Sequence, residues 1–374
     1  MDREYAICQR CVMDTSDPNI EFDSHGVCNH CKAAETRFQR QLLPLDQRRA
    51  AYENLLEKVR SDGRGKDYDC VIGVSGGVDS SYVAWLVKEA GLRPLAIHFD
   101  NGWNSELAVD NIKNLLDRLD IELYTHVVDW EEFRDLQLAF LKGSLVNCEA
   151  PTDHAINAMM LRLAAKFGLR YILSGSNLAT EAIMPYAWSH YNQDLRLLRA
   201  VHKRHGTGPL KTLPTMGLAR YIYSIFALRI RQVPMLNFIE FDKDVAKQFL
   251  IDEFSWRDYG GKHYESVWTR FYQGYYLVEK FGYDKRRSHL SSMIMSGLTT
   301  RNQALTVLSD PPYDPELLQQ DMEFVLKKFG LSRQEWDAIM AKPKVDAREY
   351  PSNYHLFHTM SKFKNIFRKI ATTP

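Results

Sequence analysis

The chain has 374 residues, 45% of them hydrophobic, which exceeds what one small domain needs and predicts two or three packed units. Lys and Arg number 48 against 47 Asp and Glu, giving a formal net charge of +1. A chain so balanced has no overall field that would draw it to nucleic acid or to an anionic membrane, so any site for a polyanion must be local.

Two CxxC pairs stand near the amino terminus, Cys8 with Cys11 and Cys28 with Cys31. Each CxxC turn can direct two thiolates at one ion, and two such turns complete a closed tetrahedron that leaves no position for water. The segment between the pairs is rich in turn-forming residues, as a small metal-held module requires. The spacing predicts a structural zinc in a zinc-ribbon module over residues 1–40. A redox dithiol pair and an iron–sulfur cluster are the alternatives.

The first residues lack the basic-then-apolar arrangement of a secretory signal, and no run of eighteen apolar residues is free of charges. We therefore expect a cytoplasmic protein, in which six cysteines do not form a disulfide framework. The most apolar stretch, residues 217–230, contains Arg220 and Arg229. We predict that it forms a buried or interfacial helix.

Residues 41–66 are charged, follow a helical period and end near two glycines, which indicates a helical connector. From residue 67 onward, apolar strands alternate with helices. This alternation predicts an α/β fold with a mostly parallel sheet covered on both faces, over residues 67–205. Ligands of such sheets bind beyond the carboxyl ends of the strands. The predicted strands are 69–74, 94–99, 121–128 and 171–176.

The first predicted strand runs into the loop SGGVDSS, residues 75–81. Gly76 and Gly77 allow close backbone approach, successive amides form an anion nest, and the following helix adds its positive end. The loop therefore predicts a phosphate site, although it has neither the lysine nor the spacing of the kinase-type P-loop. Asp79 is a candidate to orient the loop or to hold Mg²⁺. The candidate hydroxyl donors are Ser75, Ser80 and Ser81.

This pattern resembles the PP-loop ATP pyrophosphatases, whose SGGxDS loop binds the pyrophosphate of ATP while the α-phosphate is attacked. The resemblance implies that ATP is cleaved to AMP and pyrophosphate. It extends to HFDNGWNSE, where Asp100 and Asn101 match a loop on the nucleotide side, and to SGSNLATE after the fourth strand. In that last motif, the residues that resemble those meeting ATP and its metal are Ser174, Gly175, Asn177 and Glu181.

PP-loop enzymes replace an activated oxygen by nitrogen or by sulfur, and this choice separates the hypotheses. The tRNA-thiolating enzymes of this class often carry a catalytic cysteine near the loop, for which Cys148 is the candidate here. Two basic stretches, 196–206 and 284–290, offer contacts either to tRNA phosphates or to the diphosphate of a sugar nucleotide. A non-catalytic scaffold that binds zinc and nucleotide is a third hypothesis.

The CxxC segment, the loop, the two later motifs and residues 256–305 together resemble the N-acetyl sugar amidotransferases of surface-polysaccharide and nonulosonate biosynthesis. The resemblance covers nearly the whole chain and is weakest around 40–65 and after about 345. It implies conversion of an acetamido group to acetamidino on a sugar that is commonly nucleotide-linked, for an LPS O-antigen or a related glycan. ATP would adenylate the acetamido oxygen, ammonia would add at the carbon, and AMP would leave, with Mg²⁺ assisting.

The source of the ammonia is not visible in the sequence, which shows no cysteine nucleophile of the glutaminase type. The resemblance implies a separate glutaminase subunit, similar to that of imidazole-glycerol-phosphate synthase. Residues 206–374 are predicted to form a helical substrate or partner region whose charged residues reach over the loop. The catalytic candidates are Asp79, Ser80, Lys262 and Arg286.

Overall fold

The computed structural model of the chain describes residues 4–189, 192–261 and 264–359. The strands are β1 Cys70–Gly73, β2 Pro94–Asp100, β3 Leu123–Val127, β4 Tyr171–Ser174 and β5 Arg231–Pro234. They form one sheet in the order β3-β2-β1-β4-β5, and every neighbouring pair is parallel. The predicted α/β fold with a parallel sheet is confirmed, and each of the four predicted strands is present.

The fifth strand was not predicted, because it lies in the segment expected to be helical. β5 has four residues, ends in Pro234 and exposes Arg231 and Gln232, so it lacks the apolar run by which a buried strand is recognised. It pairs with β4 from Tyr171 opposite Arg231 to Ser174 opposite Pro234. The sheet therefore takes one of its two edges from beyond residue 205.

Helices cover the sheet and form the C-terminal region. The described residues after 264 are helical apart from their connections, as predicted, and α11 continues directly into a π-helical segment, Tyr272–Phe281. The α-helices are α1 Asn29–Gln41, α2 Leu45–Asp62, α3 Val78–Glu89, α4 Glu106–Leu119, α5 Trp130–Lys142, α6 Ala150–Lys166, α7 Leu178–Glu181, α8 Leu195–His205, α9 Leu218–Phe226, α10 Lys243–Phe254, α11 Val267–Phe271, α12 Lys285–Ser296, α13 Arg301–Ser309, α14 Pro315–Phe329 and α15 Arg333–Ala341.

The sheet has a hydrophobic core on each face, because successive strand residues point in opposite directions. Val71 belongs to a core with α5, α6 and α8, whereas Ile72 belongs to a second core with α3, α4 and α10. The predicted connector contributes to the second core, since Leu56 and Val59 of α2 are buried in it. α2 is therefore part of the layer that covers the sheet, and not a linker alone.

Two helices near the sheet bear on the site and on the apolar stretch. Helix α4 begins at Glu106 and is capped by Ser105, whose hydroxyl accepts a hydrogen bond from the Ala108 amide at 3.2 Å. α9 lies within the apolar stretch 217–230, where Ser224 is buried but Tyr223 and Phe226 are 57% and 66% exposed. Within the three described ranges, every helix is too short or too polar to cross a bilayer.

Candidate functional site

The loop after β1 is closed by hydrogen bonds among its own residues. Ser80 Oγ accepts from the Ser75 amide at 3.2 Å and donates to the Gly77 carbonyl at 3.1 Å. Gly76 has φ +81°, in the left-handed region that favours glycine, and a Cβ there would lie 2.6 Å from the Ala108 carbonyl oxygen. The loop thus makes a tight curve into the amino terminus of α3, at the carboxyl edge of the sheet, which is the arrangement that binds anions.

The loop after β4 lies directly against the first turn of α3. A Cβ on Gly175 would lie 2.8 Å from the carbonyl carbon of Asp79, so the two backbones pack together without space for a side chain. Beside it, the hydroxyl oxygen of Ser174 is buried without a hydrogen-bond partner among the described residues. The structure therefore places two of the predicted nucleotide-binding residues, Ser174 and Gly175, next to the β1 loop.

Three predicted residues near the loop differ from one another in exposure. Ser81 is only 1% exposed, so its hydroxyl faces the core and is not open to a ligand. Asn177 is 4% exposed and caps α7 by accepting from the Thr180 amide at 2.9 Å. Glu181 is the last residue of α7 and is exposed. Ser81 and Asn177 are thus enclosed by the fold, whereas Glu181 is open to solvent.

The loop after β2 continues the same edge. The Asp100 carboxylate accepts from the Gly102 amide at 2.9 Å, which holds the turn that follows the strand. Asn101 Nδ2 donates to Thr152 Oγ1 at 3.3 Å and so joins this turn to the beginning of α6. Asp100 and Asn101 therefore lie at the carboxyl end of β2, beside the first turn of α6, as the predicted nucleotide-side loop requires.

A buried histidine lies between the β1 and β2 loops and was not predicted. His98 is 7% exposed; its Nδ1 lies 3.0 Å from the Val74 carbonyl oxygen, and its Nε2 lies 3.2 Å from Asn104 Nδ2. A carbonyl can only accept and an amide nitrogen can only donate, so in this arrangement Nδ1 donates to Val74 and Nε2 accepts from Asn104. A histidine near the end of an otherwise apolar strand was the one available signal.

A segment from the C-terminal half covers the β1 loop. Trp256 Nε1 donates to the Gly76 carbonyl at 3.1 Å. Tyr259 Oη and Glu265 Oε1 lie 3.4 and 3.5 Å from the position that a Cβ on Gly77 would occupy. The predicted reach of the C-terminal region over the loop is thus present, and it is made largely by aromatic residues, whose density is more typical of a core or an interface.

The covering segment is anchored and brings acidic groups to the loop. The Ser105 amide donates to the Glu265 carbonyl at 2.9 Å. Burial raises the pKa of Tyr259, and the carboxylates of Glu265 and Asp79 raise it further, so this phenol stays neutral and can donate a hydrogen bond. Two carboxylates beside an anion nest form a suitable environment for a divalent cation that accompanies a phosphate.

One of the predicted catalytic residues, Arg286, is held by contacts within the C-terminal helices. Arg286 pairs with Asp284 at 2.7 Å and donates to the carbonyls of Val307 and Asp310 at 3.2 and 3.0 Å. These contacts use the guanidinium to join α12 to the end of α13. Lys262 lies outside the described residues.

Two half-buried carboxylates, Glu149 and Asp153, lie at the start of α6. Thr269 Oγ1 donates to Glu149 Oε1 at 2.6 Å, and Asn192 Nδ2 donates to Asp153 Oδ2 at 2.7 Å. Burial, and then the charge of Glu149, raises the pKa of Asp153 to about 7. Because Thr152 contacts the β2 loop, Glu149 and Asp153 lie beside the predicted nucleotide-side loop. No local pattern signals this cluster, since its partners Thr269 and Asn192 come from two distant segments.

Cys148, the candidate sulfur nucleophile, is placed in the core. It is 0% exposed, and its Sγ donates to the Leu145 carbonyl at 3.3 Å. Burial raises the pKa of the thiol to about 12. A nucleophilic cysteine needs an accessible thiolate, so the environment of Cys148 is that of a structural residue.

The four cysteines near the amino terminus meet as predicted. All are 0% exposed, and their Sγ atoms lie within 4.8 Å of one another, with the nearest pairs 3.7 to 3.9 Å apart. A tetrahedron with zinc–sulfur bonds of about 2.3 Å has sulfur–sulfur edges of about 3.8 Å. Backbone amides also point at the sulfurs, for example that of Cys28 at Cys8 Sγ, 3.2 Å. The cluster therefore fits one tetrahedral ion.

The cysteine module packs on the C-terminal region. Arg301 Nε lies 3.1 Å from the carbonyl oxygens of both Cys8 and Cys11, and the Val12 amide donates to Ser291 Oγ of α12 at 3.2 Å. On the other side of α12, His289 Nδ1 lies 2.8 Å from the carbonyl oxygen of Thr180 in α7. Helix α12 thus contacts both the cysteine module and α7, the short helix that follows the β4 loop.

Two family models match the chain. The model described as NAD synthase matches residues 49–212, which include the sheet strands β1 to β4 and the loops just described. The model described as LPS biosynthesis protein WbpG-like, C-terminal domain, matches residues 265–364. Together they confirm the predicted resemblance to PP-loop amidotransferases of surface-polysaccharide biosynthesis. The second match begins at Glu265, the residue that reaches the β1 loop.

Individual relatives share less of the chain. The tRNA(Ile)-lysidine synthases of two strains of Thermus thermophilus are each 33% identical over 114 residues, which is 30% of this chain and 21% of theirs. The chain thus spans about a fifth of the length of these curated relatives.

Solved structures with partial overlap include two synthetases. The NMN synthetase of Francisella tularensis is 16% identical with a TM-score of 0.29, covering 54% of this chain and 86% of its own. The NH3-dependent NAD synthetase of Campylobacter jejuni is 14% identical with a TM-score of 0.32, covering 81% and 100%. At these scores the overlaps add nothing to the fold assignment, which rests on the sheet itself.

Proposed function

From a chain that joins a PP-loop domain to a WbpG-like C-terminal domain of LPS biosynthesis, we propose an ATP-dependent amidotransferase. Its acceptor is an N-acetyl sugar, carried on a nucleotide, and its product bears an acetamidino group in place of acetamido. The product enters a surface glycan such as an LPS O-antigen. The observation that carries this proposal is the position of Glu265, with which the WbpG-like match begins, beside Gly77 of the PP-loop.

The reaction follows from the need to remove an amide oxygen, which is a poor leaving group. The acetamido oxygen attacks the α-phosphorus of ATP, and pyrophosphate leaves. Ammonia then adds to the activated carbon and loses a proton, and AMP departs with the former acetamido oxygen. The atoms balance as sugar acetamide, ATP and ammonia going to sugar acetamidine, AMP, pyrophosphate and a proton.

The residues of the β1 loop bind the leaving pyrophosphate in this proposal. The amides of Gly76 and Gly77 and the hydroxyls of Ser75 and Ser80 donate to it, and they stabilise the charge that develops there. Asp79 holds Mg²⁺ at the same loop, since a carboxylate oxygen is a ligand that Mg²⁺ prefers. In this role Asp79 and Ser80 are the catalytic residues.

The other loops of this edge surround the nucleotide and the acceptor. Asp100 and Asn101 lie on the nucleotide side, and Ser174 offers a buried hydroxyl beside Asp79. Gly175 contributes through its lack of a side chain, and Asn177 and Glu181 act through the shape of α7. The carboxylate cluster at the start of α6 forms the polar wall towards the acceptor, because Thr152 joins it to Asn101.

Two further components belong to the proposal. The ion held by Cys8, Cys11, Cys28 and Cys31 is a structural zinc, since four sulfurs fill its coordination and leave no position for water. The ammonia comes from a separate glutaminase subunit. Both are supported by residue chemistry or by family resemblance, and neither contributes a step of the reaction on this chain.

The test is a mass-spectrometric assay of the purified full chain with MgATP, ammonium and a panel of nucleotide-linked N-acetyl sugars. We expect AMP, pyrophosphate and one sugar in which NH replaces the acetamido oxygen. Asp79→Asn removes AMP formation, whereas Arg49→Gln on the exposed surface of α2 leaves it unchanged. If AMP forms without a modified sugar and tRNA proves to be the acceptor, the protein is a tRNA-modifying enzyme and this proposal is wrong. No AMP under any condition, glutaminase included, would leave only a scaffold.

A further inference from the structure

Positive charge is concentrated in one part of the chain. Residues 195–239 contain eight Lys and Arg and no Asp or Glu, although the chain as a whole has a net charge of +1. Residues 351–374 contain a further four Lys and Arg, again without an acidic residue. The remainder of the molecule is therefore acidic, and this asymmetry calls for a local anionic partner.

The structure places residues 351–359, the described part of the second segment, against the first segment. The Asn353 amide donates to the Asp194 carboxylate at 2.6 Å, at the start of α8. The rings of Phe357 and Tyr221 lie 6.2 Å apart, which places the same segment against α9. A Cβ on Gly217 would lie 3.9 Å from Leu195 Cδ2, so the starts of α8 and α9 are also neighbours.

The basic side chains of this side face solvent. On α8 the buried residues are leucines and Val201, and the opposite face carries exposed arginines and a lysine. α9 and the chain just after it continue the exposed positive charge into β5. The exposed basic residues on which the inference rests are Arg196, Arg199, Lys203, Arg220, Arg229 and Arg231.

α9 adds an apolar element to this surface. Tyr223 and Phe226 are 57% and 66% exposed, one helical turn apart, and Arg220 lies one turn before Tyr223. The other side of the helix is held in the core through Ser224, which is 2% exposed. A helix that presents aromatic rings flanked by arginines is typical of proteins that lie on a membrane surface. We call Arg220, Tyr223, Phe226 and Arg229 the α9 face.

The α9 face is remote from the PP-loop. The Arg231 amide donates to the Arg170 carbonyl at 2.7 Å, just before β4 begins, so α9 ends at the amino-terminal edge of the sheet. The PP-loop follows the carboxyl end of β1, at the opposite edge. A partner on the α9 face leaves the candidate site open. An RNA substrate, in contrast, would have to extend around the sheet to reach it.

We propose that the α9 face, with the basic residues of α8, docks the protein on the surface of a bilayer that contains anionic phospholipid. Arginines interact with the headgroups while Tyr223 and Phe226 enter the boundary between headgroups and acyl chains. The helix lies on the membrane and does not span it. This inference goes beyond the proposed reaction and does not depend on it.

The experiment is sedimentation of the full chain with vesicles of pure phosphatidylcholine and with vesicles of equal parts phosphatidylcholine and phosphatidylglycerol. We expect binding to the anionic vesicles only, weakened at high salt because the charges are screened. Replacing both aromatics, Tyr223→Ser with Phe226→Ser, should reduce vesicle affinity by about tenfold or more. Arg220→Glu should reduce it roughly thirtyfold, since one charge is lost and reversed.

The matched control is Val245→Ser on α10, where the valine is 68% exposed and lies outside the α9 face. This variant should bind the vesicles like the original chain, and all variants should keep their circular dichroism and melting temperature because the sites are exposed. Absence of binding to anionic vesicles at low salt would overturn the proposal. So would equal binding by the double serine variant. If the chain does not bind vesicles but binds labelled tRNA, and Arg220→Glu abolishes that binding, the surface is assigned to nucleic acid.

Discussion

A single methyl group placed between two loops tests the candidate site. Gly175 does not need glycine for its backbone angles, so Gly175→Ala introduces only a Cβ. That atom would stand 2.8 Å from the carbonyl carbon and 2.9 Å from the carbonyl oxygen of Asp79. Both contacts are with main chain, which cannot rotate away as a side chain can. The substitution must therefore move Asp79 or the β4 loop.

The size of the effect follows from these distances. To bring the new contact from 2.8 Å to an ordinary 3.4 Å, the two backbones must separate by the difference, about 0.6 Å. Overpacking of this kind costs about 1 to 3 kcal/mol of stability. A misplacement of about 1 Å in a catalytic group costs on the order of a hundredfold in rate. We therefore expect kcat for AMP formation to fall at least about tenfold, with the chain still folded at 25 °C.

The assay is release of AMP and pyrophosphate, measured beside the melting temperature of each variant. Gly208→Ala is the matched control, because the Cβ there would meet only Asp135 Oδ2 at 3.7 Å, an ordinary contact. It should keep both activity and stability. If Gly175→Ala shows the original kcat and the original KM for ATP, the β4 loop does not position Asp79 for catalysis and the assignment of this edge is wrong.

Three further outcomes are expected. Cys31→Ser should lose one bound zinc and unfold the amino-terminal module, because a site of this type contributes on the order of 10 kcal/mol to the fold that it holds. Metal analysis and thermal melting measure both effects. A melting temperature and metal content equal to those of the original chain would contradict the zinc assignment. Cys148→Ala should keep ATP cleavage within about twofold, since the thiol is buried and its pKa is raised to about 12; loss of activity without loss of stability would restore the thiolation hypothesis. Asp153→Asn should become progressively more stable than the original chain as pH rises from 3.8 to about 7. The raised pKa of Asp153 keeps the folded original chain protonated over that range, while its unfolded state loses the proton. If urea unfolding gives the same difference in stability between the two chains at every pH in this range, Asp153 titrates normally.

The parts of the fold that were predictable are those determined by short, continuous stretches of sequence. The strands β1, β2 and β4 are largely apolar and buried runs, which is the pattern by which they were predicted. The cysteine cluster followed from spacing, since two CxxC turns have few ways to place four sulfurs. In each case the residues that signal the structure are also those that form it.

The parts that were missed depend on residues far apart in the chain. β5 has four residues and two exposed side chains, so only its pairing with β4 defines it as a strand. Trp256 covers the PP-loop through one hydrogen bond to Gly76, across 180 residues. The guanidinium of Arg286 suggested a phosphate ligand, but it donates hydrogen bonds to an aspartate two residues away and to three carbonyls. A run of charges does not reveal such partners.

The contact between the cysteine module and α12 has a consequence for synthesis. Val12 and its partner Ser291 are separated by 279 residues, which a ribosome adds in roughly 15 to 60 seconds. During that time the module has left the exit tunnel while the helix that will cover it does not yet exist. Until α12 is made, the surface of the module that α12 later covers is exposed to the cell. If the module holds the proposed zinc, a shortage of zinc during translation should reduce yield even when zinc is supplied to the finished chain.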